Sequence, residues 1–124
     1  MHRILLIEDD DKVRKMLRQT LVAAGYDVQD AANGAIGLEC YLQQRSDLVI
    51  TDIVMPDREG LETIRELRRH HAGVKIIAMS GGGRGDSQDY LKLAHQFGAL
   101  RTLSKPFSGE EILTAVAEVL AVAR

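Results

Sequence analysis

Short apolar runs alternate along the chain with stretches of helical period. "RILLI" (3–7), "DLVIT" (47–51) and "KIIAM" (75–79) are nearly continuous hydrophobic segments, the pattern of strands covered on both faces in a parallel sheet. "YDVQDA" (26–31) and "LRTLS" (100–104) are more polar and suit the edges of such a sheet. Between the first two runs, Val13, Met16, Leu17, Thr20, Leu21 and Ala24 recur at helical spacing, and Gly25 supplies the stop. The same logic predicts helices near 34–44, 58–71, 87–97 and 109–122. Gly98 closes the fourth, Asp86 with Asp89 reads as its N-terminal cap, and Ser108 with Glu111 forms a capping box for the last.

Five strands alternating with five helices through short connections give a (βα)5 pattern, an α/β fold around an open parallel sheet. Right-handed crossovers constrain its topology. Ligands of such sheets sit outside the carboxyl ends of the strands. Glu8 and Asp9 follow the first strand, Asp52 the third, Ser80 the fourth, and Lys105, next to Pro106, the fifth. Singly, each has an ordinary explanation: an acid after a strand caps a helix, a serine forms a turn, a lysine is solvated. Together they bring three carboxylates, a hydroxyl and an amine to one edge.

The run "ILLIEDDDKV" (4–13) passes from apolar residues straight into the acids Glu8, Asp9, Asp10 and Asp11. Like charges about 4 Å apart repel by roughly 4 kcal/mol at an effective dielectric near 20, so something must offset them. Solvent, the N-terminus of the helix that carries Val13 and Met16, capped by Asp10 or Asp11, or a bound cation could each do so. An all-oxygen donor set suits a hard ion such as Mg2+, which is usually completed by a phosphate. A lysine and a hydroxyl beside it would meet phosphoryl oxygens. One of the three carboxylates could be the nucleophile that forms an aspartyl phosphate. In "TDIVMPDREG", Pro56 and Gly60 are read as stopping the strand and turning the chain toward the helix beginning near Arg58.

Composition narrows the field. The 124 residues suit a single domain, 1–124, with 45% hydrophobic and 27% charged residues and a net charge of -2, ordinary values for a soluble globular protein. No bulk basic field advertises nucleic acid. Cys40 alone cannot make an internal disulfide and reads as an apolar filler in a reducing compartment. No segment approaches the roughly 20 apolar residues of a membrane span. The expectation is a cytoplasmic protein, monomeric or weakly dimeric.

The pieces "ILLIEDD", "LVITDIVMPDREG", "IIAMSG" and "LSKPF", in this order and spacing, resemble the receiver domain of response regulators in two-component signalling, over essentially the whole chain. The resemblance implies a flavodoxin-like three-layer fold with strand order 2-1-3-4-5. It implies that Asp52 is the phosphoacceptor, that Glu8, Asp9, Asp52 and the main-chain carbonyl of Val54 hold Mg2+, that Ser80 binds the phosphoryl group and that Lys105 pairs with it. A cis bond between Lys105 and Pro106 is also implied. The donor would be the phosphohistidine of a histidine kinase or a histidine phosphotransfer protein. The chain would be no enzyme beyond catalysing its own phosphorylation and dephosphorylation.

Several positions depart from the usual pattern. Val54 and Gly82, flanking the site, lack polar side chains to orient a water, so they are not expected to accelerate dephosphorylation strongly. Thr102 stands where receivers commonly carry an aromatic switch residue working with Ser80, and a small β-branched side chain cannot make the same swing. Output is therefore expected through the segment Gly81 to Gly85 of "SGGGRGD" and the helix after it. That glycine run lacks the spacing of a nucleotide-binding loop. "RELRRHH" (65–71) reads as a solvated helix end favoured by the macrodipole, and His70 and His71, being adjacent, make a poor metal pair. The last helix has apolar surplus for packing or a partner. Three roles are compatible: a receiver acting through another protein, stand-alone or cut from a longer DNA-binding regulator; a phosphorelay intermediate; or a Mg2+-dependent phosphatase with an aspartyl nucleophile, disfavoured because Val54 stands where that class wants an acid.

Overall fold

The computed structural model describes residues 2–53, 59–81 and 87–123. Five strands and five helices alternate: β1 (Arg3–Ile7), α1 (Asp11–Ala23), β2 (Asp27–Ala31), α2 (Gly34–Gln43), β3 (Leu48–Asp52), α3 (Glu59–His70), β4 (Ile76–Ser80), α4 (Ser87–Phe97), β5 (Arg101–Ser104) and α5 (Gly109–Leu120). The strands form one parallel sheet in the order β2-β1-β3-β4-β5. This is the expected (βα)5 arrangement, with the two polar strands at the edges.

The unbroken apolar runs have a direct cause. Side chains alternate across a strand, and both faces are covered. Ile4, Leu6, Ile50, Ile77 and Met79 pack on one side with Leu17 and Leu21 of α1 and Ile112 and Val116 of α5. Leu5, Ile7, Val49, Ile76 and Ala78 pack on the other with Tyr41 of α2, Ile64 and Leu67 of α3 and Ala94 of α4. Each large side chain buried this way contributes about 1.5–3 kcal/mol. Cys40 is partly buried against the second core, as a filler should be.

Helix ends follow their chemistry. Asp10, not Asp11, caps α1, accepting from the main-chain N–H of Lys12 and Val13; the Val13 N–H is the main cause holding the Asp10 carboxyl below its usual pKa. Asn33 caps α2 through Ile36 N–H, a cap the sequence reading did not single out. The Ser108–Glu111 capping box is present in both directions. Gly25 and Gly98 both adopt positive φ, 98° and 120°, just past α1 and α4, where any other L residue would be strained. In "RELRRHH", Arg65, Arg69 and His70 are exposed, with Arg65 and Arg69 pairing Glu62 and Glu66 within α3, whereas Leu67 is buried and Glu66, Arg68 and His71 are half-buried.

Two expectations need correction. Asp52 and Ser80 do not follow their strands but end them, because the ladder runs one residue further: Ile53 N–H donates to Met79 O at 2.8 Å and Lys105 N–H to Ser80 O at 2.7 Å. Gly60 does not mark a turn either. It lies inside α3, where a Cβ would lie 2.5 Å from the Asp52 carbonyl oxygen and closer still to Ile53 Cα. Glycine there lets the helix approach the backbone of β3. Val54, Pro56, Arg58, Gly82, Gly85 and Asp86 lie outside the described residues, so the readings placed on them are not addressed by the structure.

Candidate functional site

Sheet register assembles the site. Ile7 is paired with Thr51, so Glu8, one residue on, comes level with Asp52. Asp52 in turn faces Met79, and Ser80 faces Ser104, which puts Ser80 and Lys105 beside the acids at the same carboxyl edge. The edge lies where the chain leaves the β1–β3 pair in opposite directions, the switch point at which open sheets bind ligands.

Glu8, Asp52 and Ser80 are buried and Asp9 is exposed. Glu8, Asp9 and Asp52 each offer a carboxylate oxygen, all within 4.8 Å of one another. Lys105 reaches in from the turn after β5. Its Nζ donates to Asp52 Oδ2 at 2.9 Å and also to Glu8 Oε1. The Lys105–Pro106 bond is cis, as expected from the resemblance. The remaining Glu8 oxygen accepts from Asp10 N–H at 3.2 Å, and Glu8 N–H donates to Ala31 O at 3.1 Å.

Electrostatics mark this as a crowded acid site. Burial pushes the Glu8 carboxyl up to about 7, against the hydrogen bond from Lys105, and the Asp52 charge adds to the rise. For Lys105, burial works against the ammonium, but the hydrogen bonds and charges of Glu8 and Asp52 outweigh it and raise its pKa above the usual value. One lysine thus serves two buried acids, with a third acid nearby. Three oxygen donors in this space fit a hard divalent cation. The hydroxyl of Ser80 points the same way: Ser80 Oγ is buried without a hydrogen-bond partner among the described residues, and a buried hydroxyl normally finds one.

The structure therefore brings together Glu8, Asp9, Asp52, Ser80 and Lys105, all read from the sequence. Val54, expected to add its main-chain carbonyl, is outside the described residues. Thr102 is half-buried in β5 opposite Ala78, separated by β4 from the strands that carry the acids. Two features went unread. Arg14 of α1 donates to the Glu8 carbonyl oxygen at 2.8 Å, and Tyr41 Oη lies 2.7 Å from His71 Nδ1 at the opposite pole of the sheet. Arg14 is spaced i,i+3 from Asp11, which suggests only an ordinary helix ion pair, and nothing in the sequence brings Tyr41 to His71.

Three carboxylates, an amine and a hydroxyl at the switch point of a doubly wound parallel sheet define an α/β protein with a site suited to a hard cation and a phosphoryl group. Residues 4–117 match the response regulator receiver domain family, and the chain belongs to it. It is 35% identical over 120 residues to the chemotaxis protein CheY of Bacillus subtilis, covering 96% of this chain and 98% of that one. It is 30% identical over 118 residues to sporulation initiation phosphotransferase F of the same organism, covering 95% and 93%. Among solved structures, a CheY-like receiver domain protein from Methanospirillum hungatei superimposes with a TM-score of 0.86 at 28% identity, covering 97% and 94%. The chain is thus a receiver domain of two-component signalling, a class that works with histidine kinases or phosphotransfer proteins. Among the described residues no helix is long and apolar enough to cross a membrane.

Proposed function

We propose that Asp52 is the phosphoacceptor and that Glu8, Asp9 and Asp52 hold Mg2+. The observation that carries this reading is the convergence of these three carboxylates within 4.8 Å, with Lys105 ion-paired to the buried Asp52. An Asp52 carboxylate oxygen attacks the phosphorus of a phosphohistidine. The P–N bond breaks, its electron pair stays on the imidazole nitrogen, and an acyl phosphate forms on Asp52. Bound Mg2+ would supply positive charge against the equatorial oxygens. Lys105 carries the remaining positive charge and exchanges its hold on the carboxylate for one on the phosphoryl group. Ser80 Oγ, without a hydrogen-bond partner among the described residues, donates to a phosphoryl oxygen and links the site to β4. The chain is then no enzyme toward other substrates; the only bond it turns over is on its own Asp52.

Support for a relay role comes from Thr102. A threonine at a half-buried position of β5 gives little leverage for the surface change a reader domain needs, whereas a relay that passes its phosphoryl group on needs less.

Intact-protein mass after incubation with acetyl phosphate tests the chemistry. One phosphoryl adduct is expected, requiring Mg2+ and absent from Asp52→Asn. An adduct that survives in Asp52→Asn, or forms equally well in EDTA, contradicts the assignment.

A further inference from the structure

Arg14 sits beside the acidic turn without joining its carboxylates. Its side chain is only 19% exposed. One guanidinium nitrogen donates to the main-chain carbonyl oxygen of Glu8 at 2.8 Å, a second binds Asp11 Oδ1 at 2.6 Å, and Nε lies 3.6 Å from Asp30 Oδ2. Arg18 holds the other oxygen of Asp30 at 3.2 Å. The three donors thus go to a backbone group and to two acids outside the Glu8–Asp9–Asp52 cluster.

We infer that Arg14 is a positioning residue for the cation site: its guanidinium fixes the Glu8–Asp9 backbone from α1 and so sets the direction of both acids. The inference rests on the reading of that cluster as a cation site. The turn is pinned at each step. Ala31 O takes the Glu8 N–H, Arg14 takes the Glu8 carbonyl, and the Asp10 side chain caps α1, so Asp9 is bracketed between fixed points. Arginine suits the task because its planar fork hydrogen-bonds the Glu8 carbonyl and Asp11 at once while its charge faces Asp30; a lysine has the charge but not the geometry. By binding Asp11 and Asp30, Arg14 also offsets acids that take no part in the cluster, leaving its three carboxylates to Lys105 and a cation.

The sign of the effect separates positioning from charge. Arg14 is itself positive, so on Coulombic grounds alone its removal should tighten cation binding. Positioning demands the reverse, and partners that orient metal ligands typically contribute 10–100-fold in affinity. Binding of Mn2+, followed by the loss of its free-ion electron paramagnetic resonance signal, reads this without any phosphorylation assay. Arg14→Met is expected to weaken Mn2+ binding by about tenfold or more. Arg14→Lys should bind more weakly than wild type despite keeping the charge, and Arg18→Met, which removes the ion pair to Asp30 and leaves the Glu8 carbonyl to Arg14, should bind like wild type. If Arg14→Met fails to fold by circular dichroism, Arg14→Lys decides alone. Equal or tighter binding by the folded Arg14 variants overturns the inference. Failure of wild type itself to bind Mn2+ is a different result: it overturns the cation-site reading and this inference with it.

Discussion

Glu8 is the residue on which the site's electrostatics turn. Burial raises its carboxyl from 4.5 to about 7 in the cation-free protein, so between these values the folded state binds a proton that the unfolded chain has released. Stability from this group is fully present below about pH 4.5 and is lost as the pH rises through about 7. In EDTA, the unfolding free energy of wild type relative to Glu8→Gln should therefore fall as the pH is raised across that window. Parallel pH profiles for the two proteins, measured by urea denaturation, would contradict a Glu8 carboxyl raised by burial. At this scale the sequence was most informative about side chains at or just past strand ends: Glu8, Asp9, Asp52, Ser80 and Lys105 were all legible because strand register carries them to one edge. Arg14 was not, since its role depends on a guanidinium reaching a backbone carbonyl, which no residue pattern encodes.

Among the elements, the packing of α3 on β3 is the most exacting. Gly60 brings the first turn of α3 against the backbone of Asp52 and Ile53, and an added Cβ has nowhere to go because the atoms it meets are main chain. Gly60→Ala should gain up to about 1 kcal/mol of helix propensity and lose more, about 1–3 kcal/mol, to overpacking. A variant as stable as wild type in urea denaturation would show that α3 can shift freely. The turn reading of Gly60 failed because glycine next to a proline-containing segment looks like punctuation, whereas its use here is close approach between elements distant in the chain. The strand ends at Asp52 and Ser80 shifted for a related reason: the last ladder bonds are completed by neighbouring strands, not by local preference. Capping was easier to read at Ser108, where serine and glutamate stand three apart, than at α1, where Asp10 and Asp11 were equal on paper and backbone geometry chose Asp10.

For the molecule as a whole, hydrophobic alternation and strand order place the chemistry. Two cores clamp the sheet between α1 and α5 on one side and α2, α3 and α4 on the other, and the buried polar residues Glu8, Asp52 and Ser80 gather where the strands end. The proposal that Asp52 is the acceptor rests on this convergence. The most direct measurement is reductive trapping: phosphorylate the chain in Mg2+, reduce the acyl phosphate with borohydride, and locate the resulting homoserine by peptide mass spectrometry. Homoserine in place of Asp52 alone is the predicted result. Homoserine in place of Asp9, Asp10 or Asp11, with Asp52 intact, would contradict it.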